Sequence, residues 1–134
     1  MRERSGAWEK AEADLSRALE IKKDQPLVLN YLGYSWIDRG ENLEKAKGMV
    51  RRAAALRPED GFIADSVGWA AYRTGDMEEA VAEMERAVAL EPLDPTINEH
   101  LGDVYWAAGR RLEANYQWEK AVSYTHLRAH ETSE

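Results

Sequence analysis

The stretch Ala64-Asp-Ser-Val67-Gly68-Trp69-Ala-Ala71-Tyr-Arg-Thr-Gly75-Asp-Met-Glu-Glu-Ala80-Val-Ala-Glu-Met84-Glu-Arg-Ala87-Val-Ala-Leu90-Glu-Pro92 decides the fold. It holds two apolar stripes at helical spacing, Ala64, Val67, Gly68 and Ala71, then Ala80, Met84, Ala87 and Leu90, with Gly75 between them and Pro92 behind. Glycine closes a helix in the left-handed region without a Cβ clash, and proline ends the second helix because it lacks an amide proton. The stretch therefore reads as a helical hairpin.

The hairpin recurs. Gly6, Gly40, Gly75 and Gly109 are 34, 35 and 34 residues apart, and Ala11, Ala46, Ala80 and Ala114 are 35, 34 and 34 apart. Ala18, Ala53, Ala87 and Ala121 repeat the second series, and the column Gly33, Gly68 and Gly102 places one inserted residue between Gly40 and Ala46, in a turn. Leu29, Leu32 and Trp36 form the first-helix stripe of the preceding period, and Asn98, Leu101 and Tyr105 that of the following one. The matching second-helix stripes are Ala46, Val50, Ala53 and Leu56, and Ala114, Trp118 and Ala121. Pro26 and Pro95 sit where a first helix starts, with Asp94 as an N-cap.

The columns Leu32-Gly33 with Trp36, Ala46, Val50, Ala53 and Pro58, and Val67-Gly68 with Ala80, Met84, Ala87 and Pro92, resemble the tetratricopeptide repeat signature. The departures are Lys23 in a proline slot and Asn98 in an apolar one, both expected in loosely packed end repeats. The resemblance implies an all-α fold, a right-handed α-solenoid. It divides into a partial repeat at 1–25 (second helix only), whole repeats at 26–60 and 61–94, and a repeat at 95–122 cut inside its second helix. Asn30-Tyr-Leu-Gly-Tyr-Ser-Trp36 and Asn98-Glu-His-Leu-Gly-Asp-Val-Tyr-Trp106 are similar to a group of bacterial members, some of them exported or lipid-anchored adaptors.

Val122-Ser-Tyr-Thr-His-Leu-Arg-Ala-His-Glu-Thr132 resembles one reading frame of the transposase adaptor used in sequencing libraries, so 123–134 is expected to be a non-native tail. His126 and His130, four apart beside Glu131, would otherwise suggest a metal pair, and the adaptor resemblance takes that reading away. The chain is expected to be a fragment of a longer protein.

The 134 residues carry a net charge of −7 and no cysteine. Nucleic-acid binding, which needs a basic stripe, is set aside, as are disulfides and thiolate chemistry. No run of about 18 apolar residues suits a membrane span. The compartment stays open between cytoplasm and bacterial envelope. Ser66, His100 and Asp103 have no glycine elbow or oxyanion turn beside them, and Glu78, Glu79, Glu83 and Glu85 lie on the polar side of an amphipathic helix. Neither set supports catalysis, no cofactor or metal is implied, and the expectation is a non-enzymatic scaffold.

In this family the first helices line a concave surface. Facing away from the core stripe there are Leu27, Asn30, Tyr34, Ile37 and Asp38, then Phe62, Asp65, Trp69, Tyr72 and Arg73, then Glu99, Asp103 and Trp106. Tyr34, Trp69, Tyr72 and Trp106 read as an aromatic ladder, with Asn30, Asp38, Asp65, Arg73, Glu99 and Asp103 setting register for a bound protein segment. The alternative for these rings is packing between repeats. The Lys/Asn arrangement with which some relatives clamp a C-terminal carboxylate is missing, so a basic or apolar segment is favoured. A second reading makes the array a regulatory or targeting arm of a larger enzyme or envelope adaptor, and uncapped ends invite self-association.

Overall fold

The computed structural model describes residues 6–132, with side chains as far as residue 129; residues 1–5, 133 and 134 of the first repeat and the tail lie outside the described residues. All secondary structure described is helical: α1 (Gly6–Ile21), α2 (Pro26–Arg39), α3 (Leu43–Leu56), α4 (Gly61–Arg73), α5 (Met77–Leu90), α6 (Pro95–Ala107) and α7 (Arg111–Thr132).

The three hairpin corners share one geometry. Gly40, Gly75 and Gly109 have φ of 74°, 88° and 83°, and the amide of the next residue donates five residues back: Glu41 to Trp36 O (2.8 Å), Asp76 to Ala71 O (2.9 Å) and Arg110 to Tyr105 O (2.8 Å). This is the closing bond of a left-handed helix cap. The inserted residue falls after Gly40 and leaves Asn42 left-handed as well, at φ 49°. Its side chain makes no cap bond to α3, whereas the Asp76 carboxylate, at the equivalent place, accepts from Glu79 N at 3.1 Å. Asparagine tolerates this φ better than most residues.

Proline ends the second helices by acting on the residue before it. Arg57 and Glu91, ahead of Pro58 and Pro92, are pushed out of the helical region to φ/ψ of −137°/74° and −132°/70°. The equivalent place in α7 is His126, and no proline or glycine follows Gly109, so α7 continues past Val122 to Thr132 as one helix. Pro26 and Pro95 take first-turn positions, and the Asp94 carboxylate caps α6 through Ile97 N at 2.9 Å.

Packing sets the curvature. Each first helix packs on the second helix of its hairpin (α2 on α3, α4 on α5, α6 on α7), and α4 and α6 also pack on the second helix before them. The backbones of α2 and α4, and of α4 and α6, approach one another, while those of α3 and α5, or α5 and α7, do not among the described residues. The first helices are therefore the closely spaced inner row. The outer row is bridged by long side chains, among them Arg51 on Glu79 at 2.5 Å and Arg86 Nη1 on Pro58 O at 2.7 Å.

The stripes read from the repeat form the core: Leu32, Ala46, Val50, Ala64, Ala80, Met84, Ala87 and Leu101 are at most 2% exposed. Leu56 is an exception, left 38% exposed at the end of α3. Asn98 departs from the expected looseness of an end repeat. It is fully buried, and its Nδ2 donates to Pro92 O (3.0 Å) and Asp94 O (2.9 Å), tying the loop between α5 and α6 to the helix it leads into.

Candidate peptide-binding groove

The inner row carries a cavity of about 640 Å³ across α2, the first half of α4 and the start of α6. Its walls include Leu27, Asn30, Tyr31 and Tyr34 from α2, Phe62, Asp65 and Ser66 from α4, and Asp94, Thr96 and Ile97 at the start of α6. Leu27, Tyr31 and Phe62 are 58%, 61% and 49% exposed. Large apolar side chains held open beside a cavity are unusual on an otherwise polar helix face and suit a bound chain.

Of the ten groove residues expected from sequence, three line this cavity: Asn30, Tyr34 and Asp65. Asn30 is half-buried, and its Oδ1 is shut off from solvent without a hydrogen-bond partner. The Tyr34 hydroxyl is pushed up to about 12, first by burial and then by the charges of Asp65 and Asp38. Asp38 itself is exposed, and its carbonyl accepts from Arg73 Nη1 at 3.4 Å.

Asp65 is not the open carboxylate expected. It is 7% exposed and bonded at 2.8 Å to Nδ1 of His100, itself 8% exposed, so that one buried pair joins α4 to α6. Trp69 stacks on the His100 ring at 4.0 Å and on Tyr72 at 4.8 Å, and it touches both principal core clusters. Trp69 and Tyr72 thus pack between repeats and are not rungs of an exposed ladder. Ile37, placed on the same face by helix arithmetic, is fully buried.

At the far end, Trp106 is 44% exposed, tilted against Trp118 at 5.5 Å, with the Arg111 guanidinium over its face. Asp103 accepts from Trp118 Nε1 at 3.0 Å, and Glu99 is exposed beside a second, smaller cavity between α6 and α7. The imagined Ser66, His100 and Asp103 set does not assemble. The imidazole nitrogen goes to Asp65, and Ser66 Oγ donates back to Phe62 O at 3.3 Å.

Sequence reasoning missed Tyr31, Thr96 and the Asp65–His100 pair. The pair was within reach of the repeat register, because Asp65 and His100 stand three and two residues before Gly68 and Gly102. Burial lowers the affinity of His100 for a proton, but the Asp65 carboxylate, with Asp103 and Glu99 further off, outweighs it and holds the imidazole above its ordinary value. A raised folded value means a contribution complete below about pH 6.5 and lost as pH rises through the folded value. The urea midpoint is therefore expected to fall as pH rises from about 6.5, and His100→Gln to flatten that slope. A wild-type midpoint that stays level over this range would show that the imidazole does not titrate against folding.

Among the described residues no group of three or more His, Asp or Glu is placed to hold a metal ion, and no helix is long and apolar enough to cross a membrane. The side chains of His130 and Glu131, half of the tail's histidine pair, lie outside the described residues.

Comparison with known proteins agrees with the geometry. Residues 66–92 match the family described as "Tetratricopeptide repeat". Over 66 residues the chain is 36% identical to the TPR repeat-containing protein PA4667 of Pseudomonas aeruginosa, a match that takes in 49% of this chain and 11% of that protein's length. Solved structures of MamA share the fold. MamA 41-end from Desulfovibrio magneticus RS-1 aligns at a TM-score of 0.77 with 17% identity over 90% of this chain and 68% of its own, and MamA AMB-1 at 0.74 with 22% identity over 90% and 71%. Residues 66–92 thus match a tetratricopeptide repeat, and the equivalent glycine corners and shared solenoid make the hairpins around them similar to that repeat.

Proposed function

We propose that the chain is a protein-interaction scaffold that holds an extended partner segment along its inner row of helices. Stacked hairpins generate concave surfaces used in this way. The observation that carries the reading is the cavity across α2, α4 and α6, rimmed by the exposed Leu27, Tyr31 and Phe62. Its lining contains Asp65 and Asp94 and no Lys or Arg, which favours a basic or apolar segment over one ending in a carboxylate.

Trp69 is unsuited to testing this, because its removal would disturb the packing between repeats. Leu27 and Phe62 are open to solvent and serve better. Peptides selected from a displayed random library on the wild-type chain are expected to bind the Leu27→Ser/Phe62→Ser variant at least tenfold more weakly, about 1.4 kcal/mol. Helical circular dichroism should be unchanged. Selected peptides that bind the double variant as tightly as the wild type would remove this cavity from the function.

A further inference from the structure

The repeat register shows why the cavity exists. Counting from Gly33, Gly68 and Gly102, the residues three before are Asn30, Asp65 and Glu99, those two before are Tyr31, Ser66 and His100, and those one after are Tyr34, Trp69 and Asp103. Between α4 and α6 these positions make a closed unit. Asp65 of α4 takes His100 of α6 at 2.8 Å, and the Trp69 ring covers the imidazole at 4.0 Å.

Between α2 and α4 the same positions hold Asn30, Ser66 and Tyr34. Ser66 is too short to cross, and its hydroxyl turns back to Phe62 O. Asn30 Oδ1 is left buried with no partner, and Asn30, Tyr34, Asp65 and Ser66 all face the cavity. An unmet buried acceptor is costly, and a donor brought by a ligand would recover that cost.

Resting on the groove reading, we propose that this cavity takes the guanidinium of an arginine in the partner segment, at the place His100 fills one repeat later. A planar head can lie on Tyr34 as the imidazole lies on Trp69, and its fork of donors can serve Asn30 Oδ1 and the neighbouring carboxylates together. Charge complements it: Asp65 lines the cavity, Asp38 stands near Tyr34 and no cation is among the lining residues, while Asp94 on the same wall is already paired with Arg128 at 3.2 Å. The aliphatic stem would run between Leu27, Tyr31 and Phe62.

The test uses the full chain, isotope-labelled for amide NMR, titrated with acetyl-Leu-Ala-Arg-Ala-Leu-amide. Companion peptides carry citrulline, which keeps the shape and loses the charge, or lysine, which keeps the charge and loses the plane. The arginine peptide should shift the amides of Asn30, Tyr34 and Ser66 and bind at least tenfold more tightly than the citrulline peptide and severalfold more tightly than the lysine one. Ser66→His, which supplies the missing imidazole from within, should abolish that preference. Asn30→Leu, at a half-buried position, should weaken arginine binding severalfold and serves if Ser66→His does not fold. Equal binding of the arginine and citrulline peptides, a preference for lysine, or arginine binding untouched by both substitutions would overturn the proposal. If binding is equal but lost in Leu27→Ser/Phe62→Ser, the groove stands and only the arginine falls. If no peptide shifts these amides and library selection also fails, both fall.

Discussion

Replacing His100 by leucine is expected to cost about 3–5 kcal/mol of folding stability, the usual result of removing one partner from a buried charged pair. The loss comes from what remains. Asp65 is 7% exposed, the imidazole nitrogen at 2.8 Å is its charge-bearing partner, and without it a carboxylate stays between α4 and α6 in the company of Asp94. Two features separate this mechanism from simple loss of packing. A second substitution, Asp65→Leu, should restore most of the stability, because two apolar residues of similar volume are often as stable as the pair they replace. The deficit of the single variant should also shrink as pH is lowered. Burial raises the Asp65 carboxyl above its ordinary value, and a group raised on folding gives back stability as pH falls toward its unfolded value, about 3.9. Urea unfolding of the wild type, the single variant and the double variant at two pH values measures all three effects. A single-variant loss below about 1 kcal/mol would mean that the pair does not join the repeats. A double variant no better than the single would assign the loss to the stacking of Trp69 on the ring.

The same pair marks where the sequence stopped being readable. Corners and stripes were legible because each depends on local chemistry: a left-handed φ at Gly40, Gly75 and Gly109, a missing amide proton at Pro58 and Pro92, a run of small residues on one helix face. Helix arithmetic also put Asn30, Tyr34 and Asp65 on the inner face, where they line the cavity. It could not say what a neighbouring helix brings to that face. Trp69 and Tyr72 lie on the same side of their helix as an exposed residue would, but α6 delivers His100 onto Trp69, which stacks in turn on Tyr72, and closes the interval. Ile37 and Tyr72 occupy one repeat position, yet the first is sealed and the second half-open. The run-on of α7 is of another kind, set by the absence of a proline at His126.

Gly68→Leu should lower stability by at least about 2 kcal/mol, which for a domain of this size moves the melting temperature by several degrees. Gly68 faces α5 so closely that a Cβ there would lie 2.5 Å from Met84 Sδ, 2.8 Å from its Cγ and 3.1 Å from its backbone nitrogen. The thioether can swing aside, but the backbone cannot, so even a methyl group must push α4 from α5. A leucine also needs room in a core where Met84, Ala80 and Ala71 are fully buried. Helix propensity works the other way, since any ordinary residue gains about 0.5–1 kcal/mol over glycine inside a helix. Gly48 isolates that gain: it is exposed on α3 with nothing within 4 Å of its would-be Cβ, so Gly48→Ala should stabilise by about that amount. Trimming the opposing side chain locates the strain. Gly68→Leu with Met84→Ala should melt above Gly68→Leu alone, because the added volume then enters space that the methionine has left. An unchanged melt for Gly68→Leu would mean that the hairpin does not close on this glycine, and the packing argument for the whole small-residue column, Gly33 against Val50 and Gly102 against Trp118 included, would fail with it.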